Sequence, residues 1–264
     1  MKQIAILPAV AAFLSLALGL TQAQAATTLK IGVENGPHAE VAEIVKKIVA
    51  KDGIDLKIFE FSDYARPNPA LNDGDLDINS FQHKPYLDQQ IKDRGYKITA
   101  VANTLVFPIG VYSRKIKSLD ELPQSARIAI PNDPSNGGRA LLLLQSKGLI
   151  KVKPNTGITP AVADIVDNPK KIKFSEIDAA QVPNFLPDVE AAVINTNYAI
   201  QGKLDPAKDA IAREAADSPY VNILVVRTAD VDKPWVKTLI AAFHSNEVRD
   251  YVHAKYAGIA IPGF

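Results

Sequence analysis

Short apolar segments alternate with amphipathic segments along most of the chain. Residues 29–33 carry an apolar side chain at every second position, which predicts a strand. Apolar residues recur at spacings of three and four between 41 and 49, which predicts a helix, and Pro37 lies near its start. The alternation continues with predicted strands at 54–61 and 76–79 and a predicted helix from Pro85 to Arg94. This order predicts an α/β fold with mostly parallel sheets.

Two longer β-favouring segments, 103–113 and 220–227, divide the rest of the chain. The pattern around them predicts strands at 127–130, 172–174 and 191–195, a helix at 140–147, and one or two helices within 234–256. The two long segments suggest two crossings between lobes. We therefore predict two α/β lobes, in which lobe I comprises 26–106 plus 226–264 and lobe II comprises 107–225. One continuous sheet is the alternative.

The first 25 residues have the composition of a secretory signal peptide. Lys2 precedes an apolar stretch from Ile4 to Leu20, and Ala23-Gln24-Ala25 fits a signal-peptidase site. A membrane anchor is the alternative, but Pro8 interrupts the apolar stretch and no basic stop follows it. The chain has no cysteine, so lipid attachment at a cysteine is not expected. We expect a protein released into the periplasm and soluble there after cleavage.

The charge of the chain is balanced, with 30 Lys and Arg against 29 Asp and Glu. This balance argues against nucleic acid or an anionic membrane as the main partner. The length is sufficient for two lobes that fold without disulfides. We expect a monomer.

Candidate binding residues concentrate in predicted strand-to-helix loops, where open α/β sheets bind their ligands. Phe81, His83 and Tyr86 share one such corner and Tyr64 lies in another. Together they could form an apolar slot with polar tips, suited to a thioether or aliphatic side chain. Ordinary core packing of the single aromatic residues is the alternative.

A second loop, 132–139, runs from a predicted strand into a helix and contains two glycines, Asn136 and Arg139. A helix N-terminus and a guanidinium both favour a carboxylate. The alternatives are a surface turn with a solvated arginine and, less well supported, a phosphate loop, which lacks the Gly-Lys-Ser/Thr ending. A third segment, 193–198, ends a strand in Asn195 and Asn197, whose amides could accept from an ammonium group or form a simple turn.

Signatures of catalysis are weak by comparison. The chain has no Gly-x-Ser-x-Gly elbow, no thiol and no His-Glu-x-x-His, and its four histidines have no metal-ligand spacing. We therefore expect no catalytic residues, no metal and no cofactor, and we expect that the protein is not an enzyme. A periplasmic enzyme that uses His83 as acid or base on an amino-acid-like substrate is the alternative from another class.

Several strings resemble the methionine-binding components of bacterial methionine ABC importers, the NlpA lipoprotein family. They cover the mature chain in order: GPHAEV (36–41), FSDYARPNPAL (61–71), DINSFQHKPYLD (77–88), IAIPNDPSNGGRALLLLQ (128–145), VINTNYA (193–199) and SPYVNILVVR (218–227). The resemblance implies a solute-binding fold of two α/β lobes with a ligand cleft between them. The lobes would close over methionine, and the protein would deliver it to an inner-membrane permease driven by a cytoplasmic ATPase. A binding protein for another small amino acid is the nearer alternative.

The resemblance also assigns roles within the site. It implies that Tyr64, Phe81, His83 and Tyr86 hold the methionine side chain. Arg139 would bind the carboxylate with Asn136 nearby, and Asn197 would bind the amino group. Family members are typically lipoproteins, and the absence of cysteine in this chain departs from that pattern.

Overall fold

The computed structural model describes residues 26–215 and 218–264. The predicted signal peptide, 1–25, lies outside these residues. The first half contains β1 (Thr27–Glu34), α1 (Pro37–Val49), β2 (Ile54–Phe61), α2 (Pro67–Asn72), β3 (Ile78–Ser80), α3 (Lys84–Arg94), β4 (Ile98–Val106), β5 (Gly110–Tyr112), β6 (Arg127–Pro131) and α4 (Pro134–Ser146). The second half contains β7 (Lys151–Val152), β8 (Ile165–Asp167), β9 (Lys173–Ile177), β10 (Ala191–Ile194), α5 (Thr196–Gln201), β11 (Ala210–Arg213), β12 (Val221–Arg227), α6 (Pro234–Phe243), α7 (Asn246–Lys255) and β13 (Ile261–Pro262).

The first lobe is built on a six-stranded sheet with the order β13-β4-β12-β3-β1-β2. Strand β1 pairs in parallel with β2 and β3, and Ile31 lies opposite both Ile58 and Ile78. Strand β12 runs antiparallel to β3 and β4. Helices α1, α6 and α7 cover one face, because their apolar residues, such as Val45 and Leu239, are fully buried against the sheet.

The second lobe is built on a five-stranded sheet with the order β11-β5-β10-β6-β9. Strands β10, β6 and β9 are parallel, whereas β5 runs antiparallel to β10 and β11. Leu141 and Leu144 of α4 pack on this sheet together with Ile128 and Val193. The mostly parallel central strands bring the loops after β6 and β10 to one edge of the sheet.

Two segments join the lobes, one between β4 and β5 and one between β11 and β12. The predicted two-lobed α/β fold with two crossovers is therefore confirmed, and the alternative of one continuous sheet is wrong. The predicted lobe boundary between 225 and 226 falls inside β12, which pairs along its length with β4. We propose to place that boundary near Tyr220. No helix in the described ranges is long and apolar enough to span a bilayer.

Candidate functional site

A small cavity lies between the two lobes. The cavity is narrow: its empty space is about 180 Å³ including openings to solvent, and the enclosed part has room for about one water molecule. Both lobes contribute lining residues: Tyr64, Phe81, Gln82, His83 and Tyr86 from lobe I, and Asn136 and Asn195 from lobe II. Five of these seven residues, all but Gln82 and Asn195, are among those that the resemblance assigned to the site.

Three aromatic rings form the apolar wall of this cavity. The ring centroid of Tyr64 lies 5.9 Å from those of Phe81 and Tyr86, and the last two centroids are 6.1 Å apart. These are the tilted and edge-on arrangements that aromatic pairs prefer. The Tyr86 hydroxyl donates to the backbone oxygen of Tyr64 at 3.1 Å, which ties the two predicted corners together. The rings thus line one wall of the cavity, and their predicted contact with a ligand side chain stays a prediction.

His83 is held in one tautomer by hydrogen bonds on both ring nitrogens. It is the N-cap residue of α3, where its Nδ1 accepts from the backbone N–H of Tyr86 at 3.1 Å. Nδ1 therefore lacks a proton, and Nε2 donates to Oδ1 of Asn136 in the other lobe at 3.1 Å. Burial, together with the nearby charge of Arg139, lowers the pKa of His83 to about 3. The ring is neutral and fully engaged, which does not suit a general acid or base.

Three buried amide side chains support the loop that carries Phe81 and His83. Asn68 donates to Gln82 at 2.8 Å and accepts from Gln82 at 2.6 Å, while Asn79 donates to Asn68 at 3.0 Å. All three residues are almost inaccessible to solvent. Because buried amides are stable only when their hydrogen bonds are satisfied, this network fixes the loop between β3 and α3.

The start of α4 brings Asn136 to the cavity. Asp133 caps the helix by accepting from the backbone N–H of Asn136 at 2.9 Å, and it also accepts from the Asn136 amide. The adjoining glycines serve chain packing: a Cβ atom would lie 2.8 Å from the Pro131 oxygen at Gly137 and 2.6 Å from Thr159 Cα at Gly138. Both glycines are therefore required by the packing of the chain around them.

Arg139 is buried and paired, so the alternative of a solvated arginine is wrong. Its Nε donates to Glu214 at 3.1 Å, and its Nη2 also donates to Glu214. Nη2 donates in addition to the backbone oxygen of Phe107 at 2.9 Å. The guanidinium lies 4.4 Å from the centroid of the Tyr220 ring. Arg139 is not among the residues that line the cavity. Its predicted contact with a ligand carboxylate stays a prediction.

Asn197 joins the lobes and lies outside the cavity lining. Its Oδ1 accepts from the Tyr64 hydroxyl at 2.6 Å. Its Nδ2 is buried and forms no hydrogen bond with the described residues. The carbonyl that the sequence assigned to a ligand amino group is therefore engaged by Tyr64, and the predicted role of Asn197 in binding stays a prediction.

Three residues near the site, Gln82, Asn222 and Glu34, were not predicted as binding residues, whereas Asn195 was named as a candidate acceptor for an ammonium group. Gln82 and Asn195 line the cavity, and Asn195 donates to Oδ1 of Asn136 at 2.7 Å. Asn222 of β12 forms a β-bridge with His83, and Glu34 is fully buried at the end of β1. Gln82 follows β3, Glu34 ends β1 and Asn222 lies near the start of β12, and a position at the end of a strand is the signal in the sequence that could have indicated them. Within the described ranges, no group of three acidic, histidine or cysteine side chains could hold a metal ion.

Comparisons with known proteins agree with this geometry. Residues 29–264 match the family model described as NlpA lipoprotein. The D-methionine-binding lipoprotein MetQ of Escherichia coli K12 is 51% identical over 240 residues, which cover 89% of this chain and 88% of that protein. The structure of a nutrient binding protein from Burkholderia cenocepacia bound to methionine has a TM-score of 0.87 at 53% identity, covering 89% of this chain and 100% of the other. The chain therefore belongs to the NlpA lipoprotein family.

Proposed function

We propose that this chain is the substrate-binding component of an ABC importer and that it captures methionine in the periplasm. The cavity between the lobes carries the proposal, because its aromatic wall and its amide side chains match a small amino acid with an apolar side chain. A relative that is 53% identical has been solved with methionine bound. That relative is described as a nutrient binding protein, and the MetQ relatives are named as D-methionine-binding and methionine-binding proteins.

The ligand side chain would lie among Tyr64, Phe81 and Tyr86. A thioether against an aromatic ring gains roughly 0.3–1.5 kcal/mol per contact. The polar end of the ligand would point towards Asn136 and Asn195, with Arg139 behind them. Glu214 and Phe107 engage Nε and Nη2 of Arg139, while Nη1 forms no hydrogen bond with the described residues and is the donor that we assign to the carboxylate.

Tight binding of so small a ligand is physically reasonable. Methionine has nine non-hydrogen atoms, and a ceiling of about 1.5 kcal/mol per atom allows a binding free energy of roughly −13 kcal/mol. A dissociation constant of 1 nM corresponds to about −12 kcal/mol. The closed lobes would then carry the ligand to an inner-membrane permease driven by a cytoplasmic ATPase.

A second candidate ligand is D-methionine, since the Escherichia coli relative is named for it. An enzymatic role for His83 has less support, because both of its ring nitrogens are engaged. Binding to another small amino acid would use the same polar contacts and less of the aromatic wall.

Calorimetric titration of the ligand-free protein with L-methionine, D-methionine, leucine and alanine tests the proposal. We expect methionine to bind most tightly, and to stabilise the protein by about 2.7 kcal/mol when free ligand is 100 times the dissociation constant. No heat of binding and no shift in melting temperature at millimolar methionine would contradict it. Mass spectrometry of the incubated ligand tests for a reaction product, and cell fractionation tests the predicted soluble periplasmic location.

A further inference from the structure

Glu34 is a buried carboxyl group at the boundary between the lobes. It ends β1 in lobe I and its accessible surface is 0% of the maximum. Its Oε1 accepts a long hydrogen bond of 3.4 Å from the Gln201 amide of lobe II, which also reaches the Asn35 oxygen at 3.4 Å. Its Oε2 has no hydrogen-bond partner among the described residues.

The groups that act on Glu34 offer no positive charge. The charges that act on Glu34 come from Asp63 in the loop after β2 and Asp178 in the loop after β9, and both groups are acidic. The neighbouring hydroxyls of Tyr64 and Tyr198 stay neutral, because burial raises the pKa of both. The helix that follows β1 carries His38, which is also neutral near pH 7, since burial lowers its pKa to about 4.

A carboxylate without a cation or a full set of donors is strongly disfavoured in a dry interface, so the group takes up a proton instead. Burial, reinforced by the charges of Asp63 and Asp178 and opposed by the Gln201 amide, raises the pKa of Glu34 from 4.5 to about 8. Opening of the lobes removes Gln201, Tyr198 and Asp178 from its surroundings and lets water reach it. The open protein should then ionise Glu34 near its ordinary value.

We propose that closure of the two lobes takes up a proton at Glu34, so that ligand capture weakens as the pH rises. This inference rests on the proposed function, because closure is driven by the ligand. The gain in ligand affinity from this proton is present in full at acidic pH. It is lost as the pH rises towards 8, because in that range only the closed form holds the proton on Glu34.

Other buried groups define the useful pH window. Burial lowers the pKa of His38 to about 4 and that of His83 to about 3. Closure therefore releases a proton from either ring if that ring is charged in the open form. That opposing effect fades above about pH 6.5, the ordinary histidine value. Between pH 6.5 and 8 the affinity should therefore fall roughly tenfold on account of Glu34.

The test is calorimetric titration of methionine at pH 7 and pH 8 in buffers that differ in ionisation enthalpy, which counts the protons taken up. Wild-type protein should take up close to one proton more per ligand than Glu34→Gln at pH 7 and about half a proton more at pH 8, because the histidine rings contribute equally to both proteins. Glu34→Gln should also lose the roughly fivefold fall in affinity that Glu34 causes between pH 7 and pH 8. Glu60→Gln is the matched control, because Glu60 is exposed on β2 and should leave the wild-type proton count unchanged.

Methionine binding without proton uptake at pH 7 would overturn the inference, and so would equal uptake by Glu34→Gln and wild type. If the variant does not fold, the proton count of the wild-type protein decides alone. Absence of methionine binding at every pH would count against the proposed function as well, which distinguishes the two failures.

Discussion

Tyr64→Phe removes one oxygen atom and with it a hydrogen bond between the lobes. The lost hydroxyl donates to Asn197 Oδ1 at 2.6 Å. A typical net hydrogen bond contributes about 0.5–1.5 kcal/mol, and a stranded buried acceptor costs about 1–3 kcal/mol. Asn197 is buried and its Nδ2 has no partner among the described residues, so the loss should lie near 1.5–3 kcal/mol. Methionine affinity should fall roughly ten- to hundredfold, because the bond exists only when the lobes meet.

Tyr86→Phe is the matched control for this variant. Its hydroxyl lies in the same cavity wall but donates within lobe I, to the Tyr64 oxygen. We expect a loss of about fivefold at most, since closure neither makes nor breaks that bond. Calorimetric titration of both variants against methionine gives the comparison. Unchanged affinity in Tyr64→Phe, or an equal loss in Tyr86→Phe, would show that the bond between the lobes does not stabilise the closed state.

Three further variants test other parts of the site. Arg139→Ala should weaken methionine binding by about 3–5 kcal/mol, since it leaves the buried ligand carboxylate unpaired, and Arg139→Lys should recover little of the loss. Titration with methionine and with its methyl ester checks this. An equal loss of affinity for the ester would place the carboxylate elsewhere. Phe81→Ala should weaken binding of methionine much more than of alanine, and an equal effect on both ligands would refute its contact with the side chain. Asn68→Ala should lower the free energy of unfolding, measured in urea, by about 3–5 kcal/mol, because three buried hydrogen bonds are lost. The control Asn184→Ala, at an exposed position, should change the free energy of unfolding by no more than about 0.5 kcal/mol. Similar changes in both variants would contradict the role of the amide network.

The periodic pattern of the sequence predicted the fold because each element is a local event. The alternation at 29–33 and the helical spacing after Pro37 correspond to β1 and α1, and Gly95 ends α3 in the left-handed conformation typical of helix ends. The lobe boundary near 225 was less accurate, because an apolar run does not show which of two sheets it joins. β12 joined the first sheet.

The site was predictable where its residues follow consecutive strands and not where partners meet across the lobes. Phe81, His83 and Tyr86 share one loop, so their proximity could be read directly. Tyr64 of lobe I and Asn197 of lobe II are 133 positions apart, and His83 and Asn136 are 53 apart. Nothing local in the sequence specifies such pairs, since they depend on how the lobes approach each other. Glu34 illustrates the same limit, because its burial depends on Gln201 of the other lobe.

The pairing of Arg139 with Glu214 and the Phe107 oxygen has a mechanical consequence. One guanidinium holds both connecting segments, at the first crossover through Phe107 and at the second through Glu214. Because these contacts tie Phe107 and Glu214 to the same side chain, we expect the lobes to move mainly by rotation about this point. A single distance between probes on Lys57→Cys and Lys151→Cys, both exposed positions, should then report the whole transition as two populations. The chain has no cysteine of its own to compete for the labels.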